Sequence, residues 1–528
     1  MPNPQELIKS SREQRLKARM ETLDLCDFRN QSKATRDLNE TMFSWLDSFS
    51  LGNIKPKKFL CEIADFSNNL RGMRATSHIK AGQKILWFPM PTVYETKNDK
   101  ASSSSIVINA KTVLDDSVVK RFLSATHPAD LEFTMEHLFF IFLIAHKRKR
   151  HISRYAAYIR SLPQTYDTPI MWDDHQIKNM PSEDDAKVIF DEIDRVWEIF
   201  AIIKESLENA CILNDIDFYT DFLWAYNVLK TRGFECRLDD RTRFQITKFQ
   251  NQSTNSDIVI NAKIDLSHVS VNHILCPYMD MVNHSSTLVN ADVERDVVTD
   301  CWVLYAIKDI RMGEQIFISY GEDSTCNTFI TYGFIDNSVR NPFEKVCFTD
   351  FDFSNCLSCS SATDESNGII VNPEKARNHI INSGLYTPND PKENLLYINH
   401  LQGCSWGMQR AVLLLLVNTP KQLGRKSTDN FEDYLSWELK ITSDMKYKAN
   451  QLLRKIIRKK VIQLKNCVKN LESDQVLFQR GNEMIKILCE MQVEFLCGYL
   501  EEHEDLYLLG CGEFGDEGEV DSGNDSIN

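Results

Sequence analysis

Four short stretches carry the residues whose types and spacing could do chemistry. Cys276 to His284 (CPYMDMVNH) places a carboxylate, Asp280, three positions before an Asn-His pair, Asn283 and His284. On their own those two residues read as a polar turn. Ile316 to Gly321 (IFISYG) is a strand pattern ending in Tyr320, and a Tyr there could simply cap a strand edge. Trp224 to Phe234 (WAYNVLKTRGF) is a helix pattern that ends in Thr-Arg-Gly-Phe, and Asn69 to Ala81 (NLRGMRATSHIKA) is a turn-rich stretch between strands. The usual catalytic signatures are missing: there is no GxxxxGK[ST], GxSxG, HExxH or GxGxxG after a strand. Cys356 and Cys359 form one CxxC with no second pair at zinc spacing, so no metal site is expected.

The elements that must hold these residues change character along the chain. Short strands are expected at Phe59–Ile63, His78–Ile79 and Lys84–Phe88, separated by turn signals at Gly72 and Ala81-Gly82. Residues 116–232 read as helical, with Ile193, Val196, Trp197, Phe200, Ile203 and Leu207 at helical spacing. Strands return at Asp257–Ile264, Asp300–Ala306 and Gln315–Ser319, with a turn at Asp309–Glu314. Beyond residue 345 the pattern is helical to residue 500. Two amphipathic stretches, Leu453 to Leu471 and Leu477 to Leu500, suggest a helical hairpin in a separate bundle domain.

Composition narrows the class. The 528 residues are 42% hydrophobic and 26% charged, ordinary for a folded soluble protein. The net charge of −14 argues against a protein built around nucleic-acid binding and leaves room for a basic protein partner. The longest apolar runs, Leu138–Ala145 and Ala411–Val417, fall far short of the roughly 20 residues that span a bilayer. The N-terminal stretch lacks the apolar core of a secretory signal, so the 15 cysteines read as reduced thiols in cytoplasm or nucleus. The last residues, Glu501 to Asn528, hold ten acidic side chains and no Lys or Arg, and their final part is expected to be disordered.

Taken in register, RGMRAT, YIRSLPQTYDTP, WAYNVLKTRGF, PYMDMVNHS, IRMGEQIFISYG and TYGFIDN make the chain resemble the SET-domain protein methyltransferases. The resemblance covers about Asn69 to Phe334. It is narrowest to the branch of Rubisco large-subunit methyltransferase, and within it to the group of animal SET-domain-containing protein four. It implies an α+β fold: a polar arm over 1–40, then a SET-domain β-fold over 41–335 with a helical insertion at about 116–230. An all-α substrate-binding domain over 345–510 and an acidic tail over 511–528 would follow.

The same resemblance implies S-adenosylmethionine as cofactor and a protein substrate: a histone, a ribosomal protein or another cytosolic or nuclear protein. It implies a monomer with no membrane or direct nucleic-acid contact. Asn69, Leu70, Arg71 and Gly72 would wrap the cofactor's methionine end through backbone groups. Arg232 would meet its carboxylate, and Asp280, Asn283 and His284 would hold its amino-acid and adenine ends. Tyr332 would pack around the adenine or the channel, as would Phe334 unless it is plain core. Tyr320 would sit by the sulfonium methyl and orient the attacking amine, with Phe234, Tyr278 and Met279 lining the substrate channel. A free lysine has a pKa of about 10.4, so only about one in a few thousand is neutral at pH 7. A dry aromatic channel lowers that pKa.

The chain departs from the family pattern at Leu70, where many relatives carry a second Gly, and at Thr325, where relatives usually carry an Asn. A sister group that methylates a histidine of actin is similar over YDTP and the Asp-Met-x-Asn-His stretch. It has a polar Asn where this chain has Phe234 and a Trp at the place of Met279. An apolar Phe suits an alkyl amine better than an imidazole in need of a hydrogen bond, so lysine is the expected target and histidine the alternative. A scaffold that has lost turnover is the non-enzyme alternative.

Overall fold

The computed structural model describes residues 35–49, 59–66, 70–90, 106–125, 132–209, 218–237, 263–264, 271–336, 341–353, 373–387, 394–416, 443–473 and 480–506. Asn69, Cys356, Cys359, most of the expected strand at 257–264, the first 34 residues and residues 507–528 lie outside that set. The chain divides into two compact units. One comprises Met1–Pro342 with Gln479–Met484, the other Phe343–Phe478 with Ile485–Asn528.

In the first unit, short strands build two sheets of three or more strands and two two-stranded pairs. Helix α1 (Thr35–Ser48) precedes β1 (Cys61–Phe66), β2 (Leu70–Ala75) and β3 (Lys84–Pro89). The side chain of Asn39 on α1 closes both hydrogen bonds of the Ile63 peptide, at 2.7 and 2.9 Å, and so ties α1 to β1. After the helical insertion come β4 (Glu132–Phe133), β5 (Phe234–Arg237), β6 (Lys263–Ile264), β7 (Val271–Ile274), β8 (Asn283–His284), β9 (Ala291–Asp296), β10 (Cys301–Ala306) and β11 (Gln315–Ile318).

One sheet has the order β1-β2-β11-β8 and the other β3-β10-β9. Strands β1, β2 and β11 are antiparallel, but β11 runs parallel to β8, with Phe317 opposite Asn283 and Ile318 opposite His284. Two turns of like sequence, Ile79-Lys-Ala-Gly82-Gln83 and Ile310-Arg-Met-Gly313-Glu314, face each other through the paired peptides of Ile79 and Ile310. Each turn needs its glycine, at φ +80° and +84°. Each is closed by the side chain of Gln83 or Glu314 on a backbone N–H.

The insertion is the helical part of this unit. Helix α2 (Met135–Arg148) is apolar nearly all round, which marks a core helix. It lies against α3 (Glu183–Asn209) and α4 (Phe218–Arg232), with Phe140 edge-on to Phe222 at 5.4 Å. Arg148 and Lys147 at its end both meet Asp221 on α4. Helix α5 (Thr325–Tyr332) closes the unit, capped by Ser324 at one end and by Gly333 at φ +76° at the other.

Among its described residues, the second unit is mainly helical, with a small sheet of β12 (Lys345–Cys347), β13 (Tyr397–Asn399) and β14 (Gly403–Cys404), which the sequence pattern does not show. Its long elements are α6 (Ser443–Ser473) and α7 (Arg480–Glu502). Among the described residues no helix is long and apolar enough to cross a membrane.

Candidate active site

The parallel pairing of β8 and β11 brings two distant motifs side by side. His284 sits opposite Ile318, so the chain leaving β11 delivers Tyr320 next to it. The Tyr320 N–H donates to His284 Nδ1 at 3.0 Å, which fixes the imidazole as the Nε2–H tautomer. Burial lowers the pKa of that imidazole, consistent with an accepting nitrogen. The Tyr320 hydroxyl donates to the Val282 carbonyl at 2.7 Å, and burial raises its pKa, so it stays a neutral donor. Rings of His284, Tyr320, Tyr332 and Phe334 then form one cluster, with centroids 5.0 to 6.4 Å apart. Phe334 is half-buried and belongs to this cluster rather than to the core.

Asn283 faces the other way along β8 and donates from Nδ2 to the Arg71 carbonyl at 3.1 Å. Gly72 follows directly. A Cβ there would stand 2.6 Å from both Asn283 Nδ2 and Gln315 Nε2, so glycine lets these two amides keep their places. Leu70 is the first residue of β2, opposite Phe66. Arg71 Nη2 donates to the Ser161 carbonyl at 2.7 Å.

Asp280 lies in a single 3-10 turn, Met279–Met281, behind these groups. Its Oδ2 accepts the Tyr158 hydroxyl at 2.6 Å, and its carbonyl accepts Arg232 Nη1 at 2.9 Å. Burial pushes the carboxyl pKa up to about 6, against the pull of Arg232 and the Tyr158 hydrogen bond. Asp280 Oδ1 and Arg232 Nε are buried with no hydrogen-bond partner in the protein, polar atoms left open for a polar ligand or water, and the Tyr166 hydroxyl lies beside Arg232.

The structure therefore brings together Arg71, Gly72, Arg232, Asp280, Asn283, His284, Tyr320 and Tyr332. Phe234 begins β5 opposite Ile274, half-buried, with its ring 6.0 Å from Trp302. Met279 is fully buried. Tyr278 is a correction to the expected channel lining. It is fully buried with its ring against Phe43 and Phe59, and its hydroxyl points to Asn39 Oδ1 and the Cys61 carbonyl, each at 3.4–3.5 Å. The reason is its backbone: at φ +76°, unusual for a non-glycine residue, the side chain turns under β1 and anchors the loop that carries Asp280.

Three supporting residues carry no role in the sequence reading. Tyr158 and Ser161, both in the short helix Ala156–Ser161, hold Asp280 and Arg71. Asn290 bonds the Gln315 carbonyl and the Phe317 N–H, at 2.9 Å each, and so holds β11 in place. The first two sit within the YIRSLPQTYDTP motif, so the signal was present without the geometry. Asn290 lies in a plain polar loop and gives no signal.

Residues 70–321 match the family model of the SET domain. Among curated proteins, the chain is similar to the actin-histidine N-methyltransferases of Canis lupus familiaris and Otolemur garnettii. They are 24% and 25% identical over 287 residues, 53% of this chain and 41% and 40% of those proteins. The match thus spans well under half of the length of these relatives. Among solved structures, it is similar to Rubisco LSMT bound to AdoMet. The TM-score is 0.53 and the identity 16%, over 88% of this chain and 92% of that one. Rubisco LSMT bound to sinefungin and monomethyllysine gives the same TM-score at 17% identity, over 91% and 98%. The fold is that of the SET domain, with mixed α and β elements.

Proposed function

We propose that this protein is an S-adenosylmethionine-dependent protein-lysine N-methyltransferase. The observation that carries the reading is the convergence at the β8–β11 seam. The Tyr320 hydroxyl is fixed on the Val282 carbonyl beside His284, and Asn283 is locked to the Arg71 carbonyl next to Gly72, where a Cβ would push the Asn283 and Gln315 side chains aside. The residues present fit the cofactor. Buried polar atoms without partners at Asp280 and Arg232 are what a zwitterionic ligand needs.

S-adenosylmethionine supplies a methyl group on a sulfonium, and the protein's own task is to align the nucleophile and keep water out. Tyr320 holds its hydroxyl where the acceptor amine arrives, oriented by the Val282 carbonyl, while His284 Nδ1 accepts from the Tyr320 backbone N–H and fixes the chain there. Burial among the rings of Tyr320, Tyr332 and Phe334 strips water from an ammonium and so favours the neutral amine.

Lysine is preferred over histidine because Phe234, at the mouth of β5, presents an apolar ring backed by Trp302. A second reading, methylation of a histidine, is supported by the curated relatives, whose names state that activity. The finer expectations belong to this proposal as well: likeness to the SET-domain-containing protein four group, a substrate-binding role for residues 345–510, monomeric state, and residence in cytoplasm or nucleus. So does a histone, ribosomal or other basic protein as substrate.

Calorimetric titration with S-adenosylmethionine tests the cofactor part. The native protein should bind it, and Asn283→Ala, with an unchanged far-ultraviolet spectrum, should bind at least about tenfold more weakly. No heat with the native protein would contradict the reading.

A further inference from the structure

Helix α6 is two-sided. Leu453, Ile456, Ile457 and Leu464 are buried on one side. On the other, Tyr447, Gln451, Arg458, Ile462, Lys465 and Lys469 follow one another at steps that keep them within about 60° of arc at 100° per residue. All six are exposed, Tyr447 and Ile462 at 64% and 56%. Among the described residues, no carboxylate pairs with Arg458, Lys465 or Lys469. The helix thus shows an outer stripe of unpaired cations interleaved with two large apolar side chains, in a chain whose net charge is −14.

The chain's own acidic segment starts at the edge of that stripe. Leu506 is fully buried, and its N–H donates to Asn450 Oδ1 at 3.0 Å. Arg454 holds the carbonyls of Leu500, His503 and Glu504. Asn450 and Arg454 sit on α6 directly beside the stripe, so Leu506, the last described residue, lies next to its first third. Residues 507–528 contain six carboxylates, no Lys or Arg, and two apolar residues, Phe514 and Val520, set among the acids. Asn450 to Lys469 is about 29 Å along the helix, and 22 residues reach up to about 73 Å, so the segment can cover the stripe with slack.

We propose that the acidic segment 507–528 docks on the basic stripe of α6, its carboxylates against Arg458, Lys465 and Lys469 and its apolar residues against Ile462 and Tyr447. The tether gives the contact a local concentration in the millimolar range, and its ionic part weakens as salt shortens the Debye length. Docked, the segment denies this surface to other acidic partners.

The test is pulse acetylation of the full-length protein, read by mass spectrometry, with Lys308, exposed after β10 and without an ion pair among the described residues, as the reference site. At 20 mM salt Lys465 and Lys469 should react at least about threefold more slowly than at 500 mM. The difference should vanish in a full-length variant whose six tail carboxylates are amides (Glu513→Gln, Asp516→Asn and likewise). Equal rates at both salts would overturn the proposal, as would protection that persists in the amide variant. Protection that grows with protein concentration would also overturn it, in favour of a second copy as the occupant.

Discussion

At the scale of single residues, the account turns on one hydroxyl and one carboxylate. Tyr320→Phe removes the donor to the Val282 carbonyl and leaves the ring among His284, Tyr332 and Phe334. Folding should be unchanged within about 1 kcal/mol, while single-turnover methyl transfer should fall at least about tenfold. Full activity in that variant would remove the role given to Tyr320. Asp280 makes a separate prediction through pH. Its pKa is raised to about 6 in the folded protein, against about 3.9 unfolded, so the folded state holds the extra proton between those values. The stability this contributes is complete below about pH 4 and lost as pH rises through about 6, roughly 2–3 kcal/mol in all. Subtracting the urea-unfolding curve of Asp280→Asn from that of the native protein should show that loss; a flat difference would contradict it. The candidate residues stand out in the sequence because their chemistry is dense, Asp280, Asn283 and His284 within five positions. Tyr278 was misread for the same reason. It lies inside the dense stretch, and only its positive φ, invisible in sequence, turns it away.

At the scale of elements, the site exists because β2, β8 and β11 meet. The strand β2 (LRGMRA) was not expected, since it carries a glycine and two arginines and no clean alternation. It is a strand because it is paired on both sides, by β1 and β11, and tertiary pairing overrides weak propensity. The two-residue strand β8 is likewise too short for any periodicity to show. Where period was strong the reading was good: β3, β10 and β11 fall on the apolar runs that announced them, and the buried faces of α3 and α6 are those set by helical spacing. Two glycines test how these elements are joined. Gly72→Ala should displace Asn283 from the Arg71 carbonyl, and so weaken S-adenosylmethionine binding by about tenfold with only a small change in melting temperature. Gly333→Ala should do the opposite. At φ +76°, with a Cβ 2.9 Å from the Asp167 carbonyl, the cost falls on folding, about 1–3 kcal/mol by urea titration.

At the scale of the whole molecule, two units share the chain and each has its own polar anchor. In the second, Lys460 on α6 is buried with its ammonium 3.1 Å from Asp352, whose carboxylate also accepts the Thr349 N–H at 2.9 Å. Breaking such a pair leaves an uncompensated buried charge, so Lys460→Met should cost about 3–5 kcal/mol in urea unfolding of the full-length protein. A loss under 1 kcal/mol would mean the pair is not an anchor. The amphipathic length of α6 was readable in the sequence, but its pairing was not: Lys460 reads as one more member of the basic run Arg454–Lys460, and only packing shows that it is buried. The strands β12 to β14 were equally hidden, being two or three residues each in a segment whose composition is helical or polar.

The central claim, methyl transfer to a lysine side chain, is met most directly by labelling. The purified protein is incubated with tritiated S-adenosylmethionine and a whole-cell lysate beside Tyr320→Phe, and the modified residue is identified by mass spectrometry. Label on a lysine, absent with the variant, is the predicted result. Label on a histidine would contradict the specificity argued from Phe234. Label on a lysine that persists with Tyr320→Phe would contradict the site.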